Sequence, residues 1–105
     1  MNVRVSRLIG LARRCGRLVS GDAAVREAVR RGRAGLLVLA EDAAPRTARS
    51  FRELARAGAV PVITCGTRDE LGRLLGSTPR AVAAVIDEHL TRGILEAVSS
   101  RERER

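Results

Sequence analysis

Arg17-Leu-Val-Ser-Gly-Asp-Ala-Ala-Val-Arg-Glu-Ala-Val-Arg-Arg-Gly32 joins a strand, a corner and a helix in one short stretch. Leu18 and Val19 read as a brief apolar strand. Ser20-Gly21-Asp22 reads as a helix start, with a hydroxyl or carboxylate cap, a glycine corner and an acidic first turn. In the helix that follows, Ala24, Val25, Ala28 and Val29 form the inner stripe, and Arg26 and Arg30 stand one turn apart on the outer face. Glu27 is placed to pair with Arg31 at i,i+4 in the favourable order, and Gly32 ends the helix.

The same alternation extends in both directions. Upstream, Val5, Leu8, Ile9 and Ala12 predict a helix over residues 3–14, with Arg13 and Arg14 in its last turn and Gly16 closing it. Downstream, Leu36 to Ala40 is a continuous apolar run, the pattern of a strand covered on both faces. Pro45 opens a third helix whose inner stripe is Ala48, Phe51, Leu54 and Ala55, and Glu41 and Asp42 are expected to cap and orient it. Val60 to Thr64 is a strand whose Pro61 points to an edge or a strand start. Thr67-Arg-Asp-Glu70 fits a capping box, and Leu71, Leu74 and Leu75 continue as one face until Gly76. An exposed loop of Ser77, Thr78, Pro79 and Arg80 precedes an apolar strand over Val82 to Ile86. The last helix starts near Glu88 and buries Leu90, Ile94 and Val98.

Helices alternating with apolar strands imply an α/β fold, a three-layer α/β/α sandwich around a small central mixed sheet. One domain over residues 1–98 accounts for the 105-residue chain, and the charged tail, 99–105, has nothing to bury and is expected to fray.

Charge is concentrated at one end. Residues 1–33 hold nine arginines against Asp22 and Glu27, a net +7, whereas the remaining residues hold eleven arginines against ten carboxylates, a net +1. With a pI near 11.5, this asymmetry is the footprint of a nucleic-acid-binding face, because each contacted phosphate releases condensed counterions. An anionic membrane surface attracts the same charge, so its sign alone does not choose the partner. Lysine is absent, and a coding preference for arginine explains that more simply than selection at each site.

Several classes are disfavoured. Phe51 is the only aromatic residue, which leaves no platform for stacking bases and argues against folds that hold single strands that way. No run of eighteen uncharged apolar residues occurs, so a soluble, cytoplasmic protein is expected. Cys15 and Cys65 lie far apart with only His89 as an imidazole, which excludes a zinc site of usual spacing and predicts two buried thiols in a reducing compartment. Residues 66–72, glycine at both ends, match neither a dinucleotide fingerprint nor a phosphate-binding P-loop. His89 reads as a surface residue, and no serine or cysteine has a recognisable activating partner.

Four motifs carry a resemblance. Residues 10–21 (Gly-Leu-Ala-Arg-Arg-Cys-Gly-Arg-Leu-Val-Ser-Gly), 30–43 (containing Leu-Ala-Glu-Asp), 60–62 (Val-Pro-Val) and 69–76 (Asp-Glu-Leu-Gly-Arg-Leu-Leu-Gly) resemble the kink-turn RNA-binding ribosomal-protein superfamily, closest to its bacterial YlxQ-like branch. The resemblance spans about residues 4–98. It implies a protein without catalysis, cofactor or metal that binds a sharply bent RNA internal loop. It places the RNA edge at Ser20, Gly21, Asp22, Ala23, Ala24 and Glu27, and at Ser77, Thr78, Pro79, Arg80 and Ala81. Archaeal members carry an Asn-Glu pair and a lysine where this chain has Ala23, Ala24 and Glu27. Arg26 and Arg30 are expected to hold the RNA backbone, and Arg17, Arg26 and Arg80 are the basic groups expected to support recognition of its shape.

The combined reading is a monomeric, non-enzymatic binder of structured RNA, ribosomal RNA being one candidate, in a ribosomal or translation-associated setting and away from membranes. Two rivals stand beside it. One is an interaction module for ribosomal or transcription proteins with weak RNA binding, favoured by Ala23, Ala24 and Glu27. The other is an accessory domain of an RNA-modifying enzyme.

Overall fold

The computed structural model describes residues 1–103. In chain order the elements are α1 (Val3–Arg14), β1 (Leu18–Ser20), α2 (Asp22–Arg30), β2 (Leu36–Leu39), α3 (Pro45–Ala57), β3 (Val62–Thr64), α4 (Arg68–Leu74), β4 (Val82–Val85) and α5 (Glu88–Ala97). The strands form one mixed sheet in the order β1-β4-β2-β3. β4 runs antiparallel to both β1 and β2, and β2 runs parallel to β3.

Period-two alternation in the two central strands makes the sandwich. Leu36 and Val38 of β2, with Ala83 and Val85 of β4, face Val5 and Ile9 of α1, Leu71 of α4 and Ile94 of α5. Their neighbours Leu37, Leu39, Val82 and Ala84 face Val25 and Val29 of α2 and Phe51 and Ala55 of α3. Both central strands are buried throughout, as continuous apolar runs require. The α/β/α architecture with its mixed sheet is therefore the expected one, and Pro61 does precede an edge strand.

Helix starts are secured by side chains in three cases. Asn2 accepts from the amides of Arg4 (2.9 Å) and Val5 (3.3 Å), while its Nδ2 donates to the Ala97 carbonyl (2.8 Å), tying the start of α1 to the end of α5. Asp87 accepts from the Leu90 amide at 2.8 Å. At α4 the capping box is complete: Thr67 accepts from the Glu70 amide, and the Glu70 carboxylate accepts from the Thr67 amide. Those bonds hold the Glu70 carboxyl below its usual range.

Four expectations are corrected. Asp42 does not cap α3, whose N-cap is Ala44 with no side-chain bond; Asp42 reaches across to α4 and accepts from the Arg68 amide at 2.8 Å. Glu41 is exposed, and its amide donates to the Gly66 carbonyl at 2.7 Å. Only Cys65 is buried, whereas Cys15, beyond the last inward position of α1 at Ala12, is exposed. Burial, reinforced by Glu102 and Glu41, pushes the Cys65 thiol up to about 12. Ala24 is exposed, since the buried stripe of α2 is Val25, Ala28 and Val29. Leu90 and Val98 are half-buried against the core.

The start of the charged tail also has partners that its composition did not reveal. The Thr64 amide donates to the Glu102 carbonyl at 2.9 Å, and Arg103 bridges to Ile63, so the tail lies along the open edge of β3. Backbone pairing needs no apolar side chain, and covering an edge strand satisfies groups that would otherwise recruit another chain. Residues 104 and 105 of the expected frayed tail lie outside the described residues.

Candidate nucleic-acid interface

β1 is an edge strand paired with β4 in the register Leu18↔Val85, Val19↔Ala84 and Ser20↔Ala83. The Gly21 amide then donates to the Val82 carbonyl at 3.1 Å, and the chain turns with Gly21 at φ 91° and ψ 161°. That conformation is open in practice only to glycine. Gly21 is the N-cap of α2, and no side chain caps the helix, so neither Ser20 nor Asp22 plays the expected capping role. The first intrahelical bond runs from the Val25 amide to Gly21 (3.1 Å), which leaves the amides of Asp22, Ala23 and Ala24 pointing out of the helix end.

The second expected segment arrives at the same place. The Ala40 amide donates to the Ala81 carbonyl (2.8 Å) and the Arg80 amide to the Arg68 carbonyl (3.1 Å), which anchors the loop after α4 to the edge where β1 and β2 end. Ser77, Thr78 and Pro79 are exposed, and Arg80 and Ala81 are half-buried. Gly72 allows this path: a side chain there would drive into the Thr78 carbonyl and come within 2.8 Å of the Pro79 Cα.

Arg80 links the two segments. Its Nη2 donates to the Ser77 hydroxyl at 2.9 Å, its Nη1 lies 3.5 Å from where a Cβ on Gly21 would sit, and its Nε is buried without an acceptor. A cation thus stands beside the three open amides at the positive end of α2. The surface at Ala23 and Ala24 is exposed and bears no side-chain donor, so a ligand can approach the backbone closely but finds no side chain to read a base edge.

The other expected contacts are distributed differently. Arg26 is turned inward: its Nε donates to Asp22 (2.7 Å), its Nη2 donates to the Ser50 hydroxyl of α3 (2.8 Å), and its guanidinium lies 4.4 Å from the Phe51 ring centroid. It clamps α2 to α3 and is not an outer-face residue, because Phe51 offers a ring where solvent was expected. Glu27 pairs with Arg31, as the spacing implies. Arg30 is exposed and unpaired among the described residues, about 12 Å along the helix from Asp22. Arg17 lies at the opposite end of β1, 4.0 Å from Asp87 and about 13 Å from Gly21 at strand rise.

Two groups escaped the sequence reading. Arg13 lays its guanidinium directly across Gly76, at the head of the 77–81 loop. Arg68, 3.7 Å from Asp42, adjoins Arg80 through the backbone. Arg13 was visible as part of the basic third of the chain, whereas nothing local signalled Arg68. Among the described residues, no three His, Cys, Asp or Glu side chains gather closely enough to hold a metal ion, and no helix is long and apolar enough to cross a membrane.

Residues 4–94 match the ribosomal protein L7Ae/L30e/S12e/Gadd45 family. The chain is 38% identical over 81 residues to the RNA-binding protein YlxQ of Bacillus subtilis, covering 77% of this chain and 81% of that one. A protein of unknown function from Bacillus halodurans superimposes with a TM-score of 0.85 at 31% identity, over 92% of this chain and 97% of the other. A Giardia lamblia 15.5kD RNA binding protein shares the fold, with a TM-score of 0.78 at 22% identity over 90% and 82% of the two chains.

Proposed function

The chain belongs to the ribosomal protein L7Ae/L30e/S12e/Gadd45 family, and on that premise we propose that it binds structured RNA without catalysis, seating a kink-turn or related bent internal loop at the corner of Gly21 and Arg80. The observation that carries the reading is the placement of Arg80, which brings the 77–81 loop onto the uncapped start of α2. Phosphate or base oxygens meet the amides of Asp22, Ala23 and Ala24, and Arg80 supplies the countercharge. Recognition is of RNA shape, since Ala23 and Ala24 offer no side chain to hydrogen-bond a guanine edge. Ser20, Ser77, Thr78, Pro79 and Ala81 line the approach, while Asp22, Arg26 and Glu27 shape the helix that carries it. Arg17 and Arg30 add long-range attraction.

The protein acts as a monomer in the cytoplasm, on ribosomal RNA or another translation-associated RNA. Titration of a kink-turn RNA against a duplex of the same stems, at one stated salt concentration, tests the reading. Wild type binds the bent RNA at least about 10-fold tighter, and Arg80→Ala lowers that affinity by roughly 10- to 100-fold. Equal affinity for bent and straight RNA overturns it. A second reading, a docking module for ribosomal or transcription proteins, is favoured by the side-chain-poor surface at Ala23 and Ala24. Partners that stay bound after complete nuclease digestion would select it.

A further inference from the structure

α1 carries Arg4, Arg7, Arg13 and Arg14 and no carboxylate. None of the four makes an ion pair among the described residues. Between α1 and α4 runs a shallow groove of about 260 Å³ lined by Ser6, Arg7, Gly10, Arg14 and Leu74. Gly10 and Leu74 make a flat floor: a Cβ on Gly10 would touch the Leu74 Cδ1 at 3.6 Å and the Arg14 Nη1 at 3.5 Å. Arg7 and Arg14 stand on one rim, two turns or about 10 Å apart.

Cations lie between this groove and the corner. Arg13 crosses Gly76, the next residue is Ser77, and the Ser77 hydroxyl accepts from Arg80 beside Gly21. Arg73 adds a further exposed cation beside Ser77 and Pro79, with Asp69 the carboxylate in that hollow. A track of cations therefore leads from the corner, over the loop, to the far side of the sandwich from α2.

We propose that the α1–α4 groove is a second RNA-binding surface, which receives the phosphate backbone of a helical stem leaving the bent site, with Arg7 and Arg14 as its principal contacts and Arg13 as the link. The proposal rests on the reading of the corner as an RNA site. RNA backbone is the occupant that fits: the arginines are unpaired, Gly10 leaves the groove without a side chain at its centre, and Arg13 leads from it toward the corner. A membrane surface suits it poorly, because the exposed apolar residues of α1, Val3 and Leu11, are isolated and no aromatic residue accompanies them.

The test uses the full chain with a plain 20-base-pair RNA duplex and a kink-turn RNA with long stems. Arg7→Glu with Arg14→Glu is expected to weaken duplex binding about 10-fold and to reduce the salt slope by about 2, with the fold retained because both side chains are exposed. Arg7→Gln with Arg14→Gln gives about the same change in slope, since it removes the same two phosphate contacts. The reversed pair keeps the preference for bent over straight RNA. Arg46→Glu with Arg49→Glu, exposed positions on α3, controls for net charge. An unchanged duplex affinity in the α1 variant, or an equal loss in the α3 control, overturns the groove while leaving the corner reading intact. Duplex binding that depends on Arg7 and Arg14 without any preference for bent RNA retains the groove and rejects the corner. Loss of binding only to phosphatidylserine vesicles overturns the groove in favour of a membrane.

Discussion

Arg26 and Arg80 flank the same glycine corner, and each is partly buried, yet their guanidinium groups have opposite fates. Arg26 is engaged by Asp22, Ser50 and the Phe51 ring, which together join α2 to α3. Arg80 has one side-chain partner, Ser77, and a buried Nε with no acceptor. Charge summed along the sequence counts the two equally. Their chemistry differs because a cation already satisfied inside the protein must break those bonds to meet a ligand, whereas Arg80 keeps its Nη1 without a partner among the described residues and gains a bond there on binding.

The hardest test of that comparison moves the Arg80 loop without touching Arg26. Gly72→Ala places a methyl against the Thr78–Pro79 backbone, which has no flexible end to yield; a loss of about 2–3 kcal/mol in urea unfolding is expected, together with loss of bent-RNA binding. A variant of wild-type stability would mean that the loop is free to shift. Arg80→Ala, by contrast, should leave unfolding within about 0.5 kcal/mol of wild type while RNA affinity falls, since it removes an orphaned buried donor. If it destabilises strongly, the two arginines are not different in kind.

Arg26→Ala is expected to show the reverse pattern, about 1–2 kcal/mol of lost stability with RNA affinity changed less than about 3-fold. Joint reversal of Arg26 and Arg30 therefore mixes a structural defect with a binding one, and the single variants separate them. The smallest effect concerns the helix behind the loop. The Glu70 carboxyl is depressed by Thr67, so its stabilising contribution is present above the ordinary carboxylate pKa and is lost as pH falls through the depressed folded value. Glu70→Gln should flatten the acid limb of a melting-temperature profile; an unaltered limb would show that the capping box at α4 does not titrate with folding.

Much of the architecture was legible from residues 3 to 97 because the signals are local. Apolar period, glycine stops and the Thr67 to Glu70 capping box act within one or two helical turns. The misreadings arose where a partner lay far along the chain. Asp42 caps a helix that begins 26 residues later, Arg26 finds a ring 25 residues away, and Glu102 pairs with Thr64 through backbone atoms that carry no residue-specific pattern.

By itself, the sequence determined the alternating elements, the two buried faces of β2, the excess of positive charge before residue 34 and the glycine at the corner. Each follows from side-chain chemistry read at short range. Only the tertiary structure decided which arginines remain available. The antiparallel pairing of β1 with β4 sets Gly21 beside Arg80, and the packing of α2 on α3 encloses Arg26. Availability depends on which donors are already bonded across the fold, and a guanidinium's bonding partners are chosen by non-local packing.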